Sequence, residues 1–293
     1  MLVMEEERAL APALAARVCG RLGLSRPRAR DLAGLRALYA AWCRHVPFDN
    51  LRKMIALAEG AAMPGGDAAE FFEAWLEDGA GGTCWPTSGA FHALARQLGF
   101  DAVRIVGHMR DLGIANHGSV AVTLGGVQWL TDTSMLTNAP LPLGTGVHVH
   151  DDPVFAAEVE PDGASWVAWC EMPPNSKALP CRLFPEPVGR EVFLAGYAAS
   201  AGRSPFNQRL YVRRNRPGEM LVIVGHTRFV RTPWGLSVRE LSAGELLDTL
   251  RDDAGYSAAL VDRWARAGGL DRSFAPADGP PPPPVAGVPP SRR

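Results

Sequence analysis

The chain has 293 residues, of which 47% are hydrophobic and 21% charged, and its 30 basic side chains balance 31 acidic ones. This balance is typical of a soluble globular protein with one large domain or a few small ones, and it leaves no basic face for nucleic acid or anionic lipid. We therefore expect no nucleic-acid partner and no membrane partner. The longest apolar runs, such as 220–225, are too short to span a membrane, and the acidic start lacks the features of a secretory signal, which predicts a cytoplasmic protein.

The first part of the chain predicts helices. Over 6–45 the apolar residues recur at helical spacing, and a break at 23–27 divides this stretch into two helices. Ser25 and Pro27 fit a helix cap and an early helical proline, so the second helix is predicted to run from there to His45.

A further pair of helices follows before the pattern changes. A loop rich in Ala and Gly over 60–67 leads to a short helix near 71–77, and the chain then enters a glycine-rich turn at 79–82. The next helix is predicted over 85–98, with Gly99 capping its end. This part of the chain is therefore predicted to be helical throughout.

After Gly99 the apolar period becomes alternating, which predicts strands at 102–106 and 117–124. Gly125-Gly126 predicts a two-residue hairpin turn, because both residues can adopt positive φ, with a returning strand over 127–133. Further strands are predicted at 166–169, 209–212, 221–224 and 227–230. Together these elements predict a small barrel or a curled sheet, while helical spacing returns at 192–200 and 243–267.

Cys84 differs from the other cysteines in its position along the predicted elements. It follows two glycines and lies in the first turn of a predicted helix, where unpaired backbone N–H groups and the helix dipole stabilise a thiolate. The remaining cysteines are interpreted as buried and inert, which is also the alternative for Cys84 itself. They are Cys19, Cys43, Cys170 and Cys181.

The hairpin brings a base and a carboxylate together. Counting back pair by pair from Gly125-Gly126 places Asp132 opposite Ser119 and His117 opposite Ser134, with all four side chains on one face. His117 and Asp132 are then diagonal neighbours within hydrogen-bonding reach. A structural hydrogen bond is the alternative interpretation, but a cysteine nucleophile needs such a base and such an orienting carboxylate.

Five segments resemble one enzyme family. They are Val46-Pro-Phe-Asp-Asn-Leu51, Gly81-Gly-Thr-Cys84, the spacing of His117 and Asp132, Ser204-Pro-Phe-Asn-Gln208, and Glu245-Leu-Leu-Asp-Thr-Leu250. The family that they resemble is the arylamine N-acetyltransferases, which use a Cys-His-Asp triad to carry an acyl group as a thioester. The resemblance implies that Cys84, His117 and Asp132 are the catalytic residues and that the reaction is ping-pong.

The resemblance also implies an α+β fold in three parts. These are a helical domain over 1–99 with the nucleophile, a β-barrel domain over 100–203 with the base and its orienter, and an α/β lid over 204–272. The tail over 273–293 is mostly Pro, Gly and Ala, so it is expected to bury no core and to be disordered.

The chain departs from the family pattern around the site. Ala80, Trp85, Pro86 and Ser88 replace an Arg, a Phe, a Glu and an Asn, and 133–136 replaces a V-G-F-G segment. Loss of the Arg alone would leave a buried acidic charge unpaired, but the Glu is replaced as well, so the two losses at least partly compensate. We predict an altered acceptor pocket, in which a small aromatic amine is a poor fit, with substrate contacts from Phe48, Trp85, Ser134, Met135 and Phe206.

The predicted reaction is amide formation. An acyl group from acyl-CoA, such as acetyl-CoA, or from an acyl carrier protein passes to a small-molecule amine, with no permanently bound cofactor and no metal. Three alternatives remain open. They are an amide synthase that depends on a carrier protein, a cysteine hydrolase or transglutaminase-like enzyme that admits water in place of the amine, and a binding protein that has lost catalysis.

Other polar groups favour structural interpretations. The cysteines form no C-x-x-C pair, and their odd number and irregular spacing predict neither a disulfide framework nor a zinc site. His148 and His150 are interpreted as part of a surface loop rather than as metal ligands. The arginines within 213–216 are interpreted as a solvated turn rather than as a nucleotide-phosphate site.

Overall fold

The computed structural model of the protein describes residues 9–24, 29–175 and 177–276. The predicted cap at Ser25 and Pro27, and residues 277–293 of the predicted disordered tail, lie outside the described residues. The tail prediction over 273–293 is wrong at its start, because Ser273 and Phe274 belong to the last helix and Ser273 is buried. Within the described ranges no helix is both long enough and apolar enough to cross a membrane.

Helices are concentrated at the two ends of the described chain. In chain order they are α1 (Pro12–Arg21), α2 (Leu32–His45), α3 (Leu51–Glu59), α4 (Ala68–Asp78), α5 (Cys84–Gln97), α6 (Arg190–Arg203), α7 (Ala243–Asp248), α8 (Ala258–Arg266) and α9 (Gly269–Phe274). A 3-10 turn over Pro205–Asn207 follows α6, and a π-helical turn over Thr249–Asp253 follows α7. The helical spacing over 243–267 therefore corresponds to α7, the π-helical turn and α8.

Two helix predictions need correction. α2 begins at Leu32, because the Asp31 carboxylate caps it by accepting the backbone N–H of Gly34 at 2.8 Å, so residues 29–31 are not helical. α3 was not predicted from the sequence. The predicted helices near 71–77, over 85–98 and over 192–200 are confirmed, with bounds that differ by a few residues.

The strands form two antiparallel sheets. They are β1 (Phe48–Asp49), β2 (Asp101–Met109), β3 (His117–Leu124), β4 (Val127–Leu130), β5 (Leu141–Leu143), β6 (His148–His150), β7 (Ala157–Asp162), β8 (Ser165–Cys170), β9 (Leu179–Leu183), β10 (Tyr211–Arg216), β11 (Glu219–Val224), β12 (Thr227–Thr232) and β13 (Gly235–Glu240). The eight-stranded sheet has the order β5-β4-β3-β2-β9-β8-β7-β6, and the five-stranded sheet has the order β1-β10-β11-β12-β13.

The eight-stranded sheet curls into a nearly closed barrel, as predicted. Its terminal strand β5 lies beside β6 and β7, and the interior is filled by apolar side chains that include Ile105, Leu130 and Val159. Filling the interior with side chains makes this barrel a packed core rather than a channel.

Helix α5 lies between the helical layer and the barrel. Trp42 of α2 packs edge-on against Phe91 of α5, with ring centroids 5.1 Å apart, and α5 also contacts β2 and β3. Phe91 and Leu94 are fully buried in this core. The N-terminus of α5 is therefore held against the edge of the barrel at which β3 begins.

Three strand predictions were wrong in detail. The strand after the hairpin ends at Leu130, because 133–135 turns away from the sheet. His148 and His150 lie in strand β6, paired with β7, instead of in a loop. Arg213 lies in β10 with 1% of its surface exposed, so 213–216 is not a solvated turn.

Candidate active site

The Gly81-Gly82 pair brings the chain past another backbone segment at very short range. A Cβ on Gly81 would lie 1.8 Å from the Pro47 carbonyl oxygen, so only glycine fits at this position. The approach is fixed by hydrogen bonds, since the Gly81 N–H donates to Asp49 Oδ2 at 2.7 Å and the Gly82 carbonyl accepts the Asp49 N–H at 3.1 Å. This approach sets the position of Cys84, which begins α5 two residues later.

Asp49 is fully buried and serves this backbone contact. Burial raises the pKa of Asp49 to about 6, although hydrogen bonds from the backbone N–H groups of Gly81 and Leu51 favour its ionised form. The neighbouring Ala80 is also fully buried at the position of the family's arginine. Backbone N–H groups therefore satisfy an acidic side chain in a place where the expected arginine is missing.

Cys84 is buried, with 7% of its surface exposed, and its Sγ lies 4.0 Å from the Asn116 carbonyl oxygen. The other cysteines have environments that suppress ionisation. Burial raises the pKa of Cys43 and Cys170 to about 12, and it raises the pKa of Cys19 and Cys181 as well. Thiolate chemistry at neutral pH is therefore disfavoured at those four positions.

The hairpin register is confirmed from the pair of Ala121 and Leu130 to the turn, but the predicted pairing of His117 with Ser134 is not formed, because residues 133–135 turn away from the sheet. Leu124 pairs with Val127, and both turn glycines have positive φ, 57° at Gly125 and 79° at Gly126. His117 Nε2 lies 2.6 Å from Asp132 Oδ2, as the counted register predicted, and both side chains are buried.

Asp132 is held as a carboxylate by four donors. Its Oδ2 accepts from His117 and from the Ser119 hydroxyl at 2.7 Å, and its Oδ1 accepts the backbone N–H groups of Ser134 and Met135, both at 2.8 Å. Burial favours the neutral acid, but the positive charge of His117 and these hydrogen bonds outweigh it and lower the pKa of Asp132.

His117 is poised to carry a proton. Burial opposes its charge, but attraction to Asp132, the hydrogen bond to that carboxylate and the interaction with Cys84 raise the pKa of His117 to about 10. Since Asp132 accepts from Nε2, that nitrogen carries a proton and Nδ1 is left for the cysteine. An imidazolium beside Cys84 stabilises the thiolate electrostatically.

A chain of buried hydroxyls joins α5 to the segment after Asp132. Thr133 Oγ1 lies 2.9 Å from Thr87 Oγ1 and 2.8 Å from Ser88 Oγ, and Ser88 donates to the Gly118 carbonyl at 2.9 Å. The helix that begins at Cys84 is therefore tied to both β3 and the turn that carries Asp132. The sequence contained one sign of this hydroxyl network, because Ser88 and Thr133 both depart from the family pattern.

Replacing Ser88 with Ala is expected to lower the free energy of unfolding by about 1–2 kcal/mol, because the Gly118 carbonyl then loses its buried donor. The shift in the urea midpoint measures the effect. Ser237 on the exposed strand β13 provides the matched control, since its replacement by Ala is expected to change stability by less than about 0.5 kcal/mol. Equal shifts in the two variants would show that the hydroxyl chain contributes nothing to stability.

The predicted substrate-binding residues lie in different surroundings. Phe48 and Phe206 pack edge-on with ring centroids 5.1 Å apart, and Trp85 packs edge-on against Phe193 at 4.9 Å. Met135, with 1% exposed, belongs to the core of the barrel. Ser134 is buried, and among the described residues nothing pairs with its hydroxyl oxygen. Contact between any of these side chains and a substrate remains a prediction.

The segment after Asp132 holds a branched residue in a backbone conformation that favours glycine. Leu136, at the position of the second family glycine, has φ 45°, in the left-handed region that disfavours a branched side chain. It is fully buried, and its carbonyl accepts from Asn215 at 2.7 Å and from Arg213 at 3.4 Å. The surrounding contacts therefore hold a strained residue in place.

In residues 9–24, 29–175 and 177–276, no group of three or more His, Cys, Asp or Glu side chains is arranged to hold a metal ion.

Comparisons with known proteins identify the family. A model of the N-acetyltransferase family matches residues 31–257. A comparison with curated protein sequences finds no significant match.

Solved structures with the same fold are arylamine N-acetyltransferases. That of Mycobacterium abscessus has a TM-score of 0.75 and 21% identity, covering 89% of this chain and 95% of its own. That of Mycobacterium marinum in complex with CoA has a TM-score of 0.75 and 20% identity, covering 88% and 98%. That of Salmonella typhimurium has a TM-score of 0.73 and 18% identity, covering 87% and 98%.

These likenesses confirm the predicted fold, in which helices pack on a barrel-like sheet. The family match spans well over half of the chain. The chain therefore belongs to the N-acetyltransferase family and is an N-acyltransferase.

Proposed function

We propose that the enzyme transfers an acyl group from a thioester to an amine through a covalent thioester on Cys84. The observation that carries the proposal is the buried pair of His117 and Asp132, 2.6 Å apart, with Cys84 interacting with the imidazole. Nucleophile, base and orienting carboxylate are the three groups that such a reaction needs.

In the first half-reaction the Cys84 thiolate attacks the carbonyl carbon of the donor thioester. The tetrahedral intermediate collapses, the bond from carbon to the donor sulfur breaks, and the departing thiolate takes a proton from the His117 imidazolium. Cys84 then carries the acyl group, and His117 is neutral with its remaining proton on Nε2, directed at Asp132.

The N-terminus of α5 supplies donors for the negative oxygen of the tetrahedral intermediate. The first backbone N–H groups of a helix have no partner within the helix, which here leaves those of Cys84 and Trp85 available. Pro86, the next residue, has no N–H, so it leaves no donor unsatisfied in this first turn.

In the second half-reaction an amine attacks the acyl carbon on Cys84. His117 Nδ1 takes a proton from the amine nitrogen, the bond from carbon to Cys84 breaks, and the amide leaves. The resting ion pair of thiolate and imidazolium is restored. Asp132 keeps the imidazole in the orientation that both steps require.

The donor that best fits the family is an acyl-CoA such as acetyl-CoA, since one solved neighbour is a complex with CoA. An acyl carrier protein presents the same thioester chemistry and is the second donor to be tested. The acceptor is a small-molecule amine. The departures at 133–136, where side chains replace two glycines and Met135 replaces an aromatic ring, support an acceptor other than a simple arylamine.

Incubation of the protein with a panel of acyl-CoA thioesters, without amine, is expected to increase the intact mass by one acyl group. Replacing Cys84 with Ala is expected to abolish the increase, while replacing the half-buried Cys19 with Ala is expected to preserve it. An adduct that survives in the Cys84→Ala variant would contradict the proposed nucleophile. No adduct from either acyl-CoA or acyl-loaded carrier protein would contradict the proposed reaction.

A further inference from the structure

Lys53 on α3 is a buried cation that the proposed mechanism does not use. Only 3% of its surface is exposed. Its Nζ donates to Ser200 Oγ of α6 at 3.0 Å and, more weakly, to the Ser200 carbonyl at 3.4 Å. Within the described part of the chain, no carboxylate forms an ion pair with it, whereas the neighbouring Arg52 pairs with Glu70.

Such a lysine is costly for the fold. An ammonium group has three donors, and Lys53 directs them at one residue whose carbonyl already accepts from the Asn207 side chain at 3.0 Å. Burial lowers the pKa of Lys53 to about 8, so it remains mostly protonated at pH 7. Unpaired charges are rarely kept in a protein interior without a use for them.

The helix that Lys53 contacts, α6, reaches the segment beside Cys84. α6 packs against α5, and the 3-10 turn after α6 packs against α3, so the three helices surround one region. Arg203, at the end of α6, donates to the Ala115 carbonyl at 3.3 Å, and the carbonyl oxygen of the next residue, Asn116, lies 4.0 Å from Cys84 Sγ. A substrate group that extends from the acyl carbon toward α6 would approach Lys53.

We propose that Lys53 binds a carboxylate on the substrate, so that the enzyme selects an acyl thioester or an amine that carries this group. The proposal rests on the function proposed above and names its substrate class. A carboxylate supplies the missing counter-charge and accepts the donors that Ser200 leaves unused. Separate measurements of the two half-reactions show whether the carboxylate belongs to the acyl chain or to the acceptor amine.

The first arm measures acylation of Cys84 without amine. Succinyl-CoA carries a terminal carboxylate, and pentanoyl-CoA is a neutral chain of similar length. The second arm starts from acetylated enzyme and measures deacetylation by two aliphatic amines, 6-aminohexanoate and its neutral analogue 6-aminohexanamide. In each arm the ratio of the two rates is compared between wild type, Lys53→Met and, as the control that removes a neighbouring positive charge, Arg52→Met.

In one arm, the Lys53→Met variant is expected to lose the preference for the carboxylate compound by about tenfold or more, the value of a hydrogen bond to a charged group. The rate with the neutral compound should change little, and Arg52→Met should retain the preference. The arm that responds identifies the source of the carboxylate. Unchanged ratios in both arms would overturn the inference while leaving acylation of Cys84 intact, whereas no acylation by any thioester would overturn the proposed function itself.

The urea midpoint separates substrate recognition from support of the fold. Because Lys53→Met removes a buried charge without a counter-ion, its midpoint at pH 7 is expected to equal or exceed that of wild type. A lower midpoint together with unchanged rate ratios would assign Lys53 to holding Ser200 in place and would overturn its role in binding.

Discussion

Replacing Asp132 with Asn is expected to slow acyl transfer by about four orders of magnitude, the loss measured when the equivalent carboxylate of a serine protease triad is neutralised. The amide oxygen can still accept the N–H groups of Ser134 and Met135, which keeps the turn in place. Its NH₂ group then faces His117 Nε2 and Ser119, where only an acceptor fits the present tautomer. The rate of acetyl transfer at saturating donor measures the effect.

The same substitution is expected to lower the reactivity of Cys84. In the wild type, burial opposes the charge of His117, but attraction to Asp132 outweighs it and raises the pKa of His117 to about 10, so the imidazole remains charged across neutral pH. In the variant, burial remains without the attraction, and the pKa of His117 falls. Because a charged imidazole stabilises the thiolate that iodoacetamide attacks, alkylation of Cys84 between pH 6 and 9 should be slower in the variant than in the wild type.

Mass spectrometry of peptides from the alkylated protein measures Cys84 separately from the half-buried Cys19. Burial raises the pKa of Cys43 and Cys170 to about 12, which disfavours their alkylation in this range. Identical profiles for the two proteins would contradict the assignment of Asp132 as the group that keeps His117 charged.

The pH dependence of the stability should follow the pKa shifts of His117 and Asp132. The raised pKa of His117 contributes stability that is complete below about pH 6.5 and lost as the pH rises toward 10, and the lowered pKa of Asp132 contributes stability that is present above about pH 4 and lost in acid. The difference in urea midpoint between wild type and Asp132→Asn is therefore expected to be largest between about pH 4 and 6.5. A difference independent of pH would indicate that packing, rather than charge, is lost.

The pair of His117 and Asp132 could be predicted from sequence because local geometry determines it. Two adjacent glycines permit only a short turn with positive φ, and the turn length fixes which residues of β3 and the following segment face each other. Cys84 could be recognised for a similar reason, since glycines followed by a helical pattern place it at a helix N-terminus. Each signal lies within a short stretch of chain.

The remaining site residues could not be found in this way because their roles depend on distant contacts. Lys53 resembles an ordinary exposed helical lysine until α6 covers it, and Ser88 acquires partners from β3 and from the turn that carries Thr133. Arg213 belongs to a run of charges that is typical of a surface turn, yet its strand lies between two others. Burial of this kind comes from tertiary packing and leaves no periodic signal in the sequence.

Strands β5, β7 and β9 were missed for a different physical reason. Each contains a proline, at Pro142, Pro161 and Pro180, which removes a backbone donor and is normally read as a sign of a turn or loop. They are also short or interrupted, so alternation of apolar residues is hard to recognise. Their pairing is determined by the closing barrel rather than by their own composition.

Replacing Gly81 with Ala is expected to lower the free energy of unfolding by at least about 3 kcal/mol and to suppress alkylation of Cys84. The added Cβ would lie 1.8 Å from the Pro47 carbonyl oxygen, a backbone atom that cannot rotate away. To relieve the overlap, the segment that leads to Cys84 must move. This movement breaks the hydrogen bond from the Gly81 N–H to the Asp49 carboxylate. The urea midpoint and the rate of iodoacetamide alkylation measure the two effects.

Gly244 provides the matched control, because it lies in α7 with no atom within 4 Å of an added Cβ. Its replacement by Ala should leave alkylation of Cys84 unchanged and should stabilise the protein slightly, by up to about 1 kcal/mol, since Ala favours helices more than Gly does. If Gly81→Ala behaved like this control, the close passage past Pro47 would be unnecessary for placing the nucleophile. If it lost stability but kept its alkylation rate, the glycine would serve the fold alone, and the position of Cys84 would be set by the contacts of α5 with the barrel.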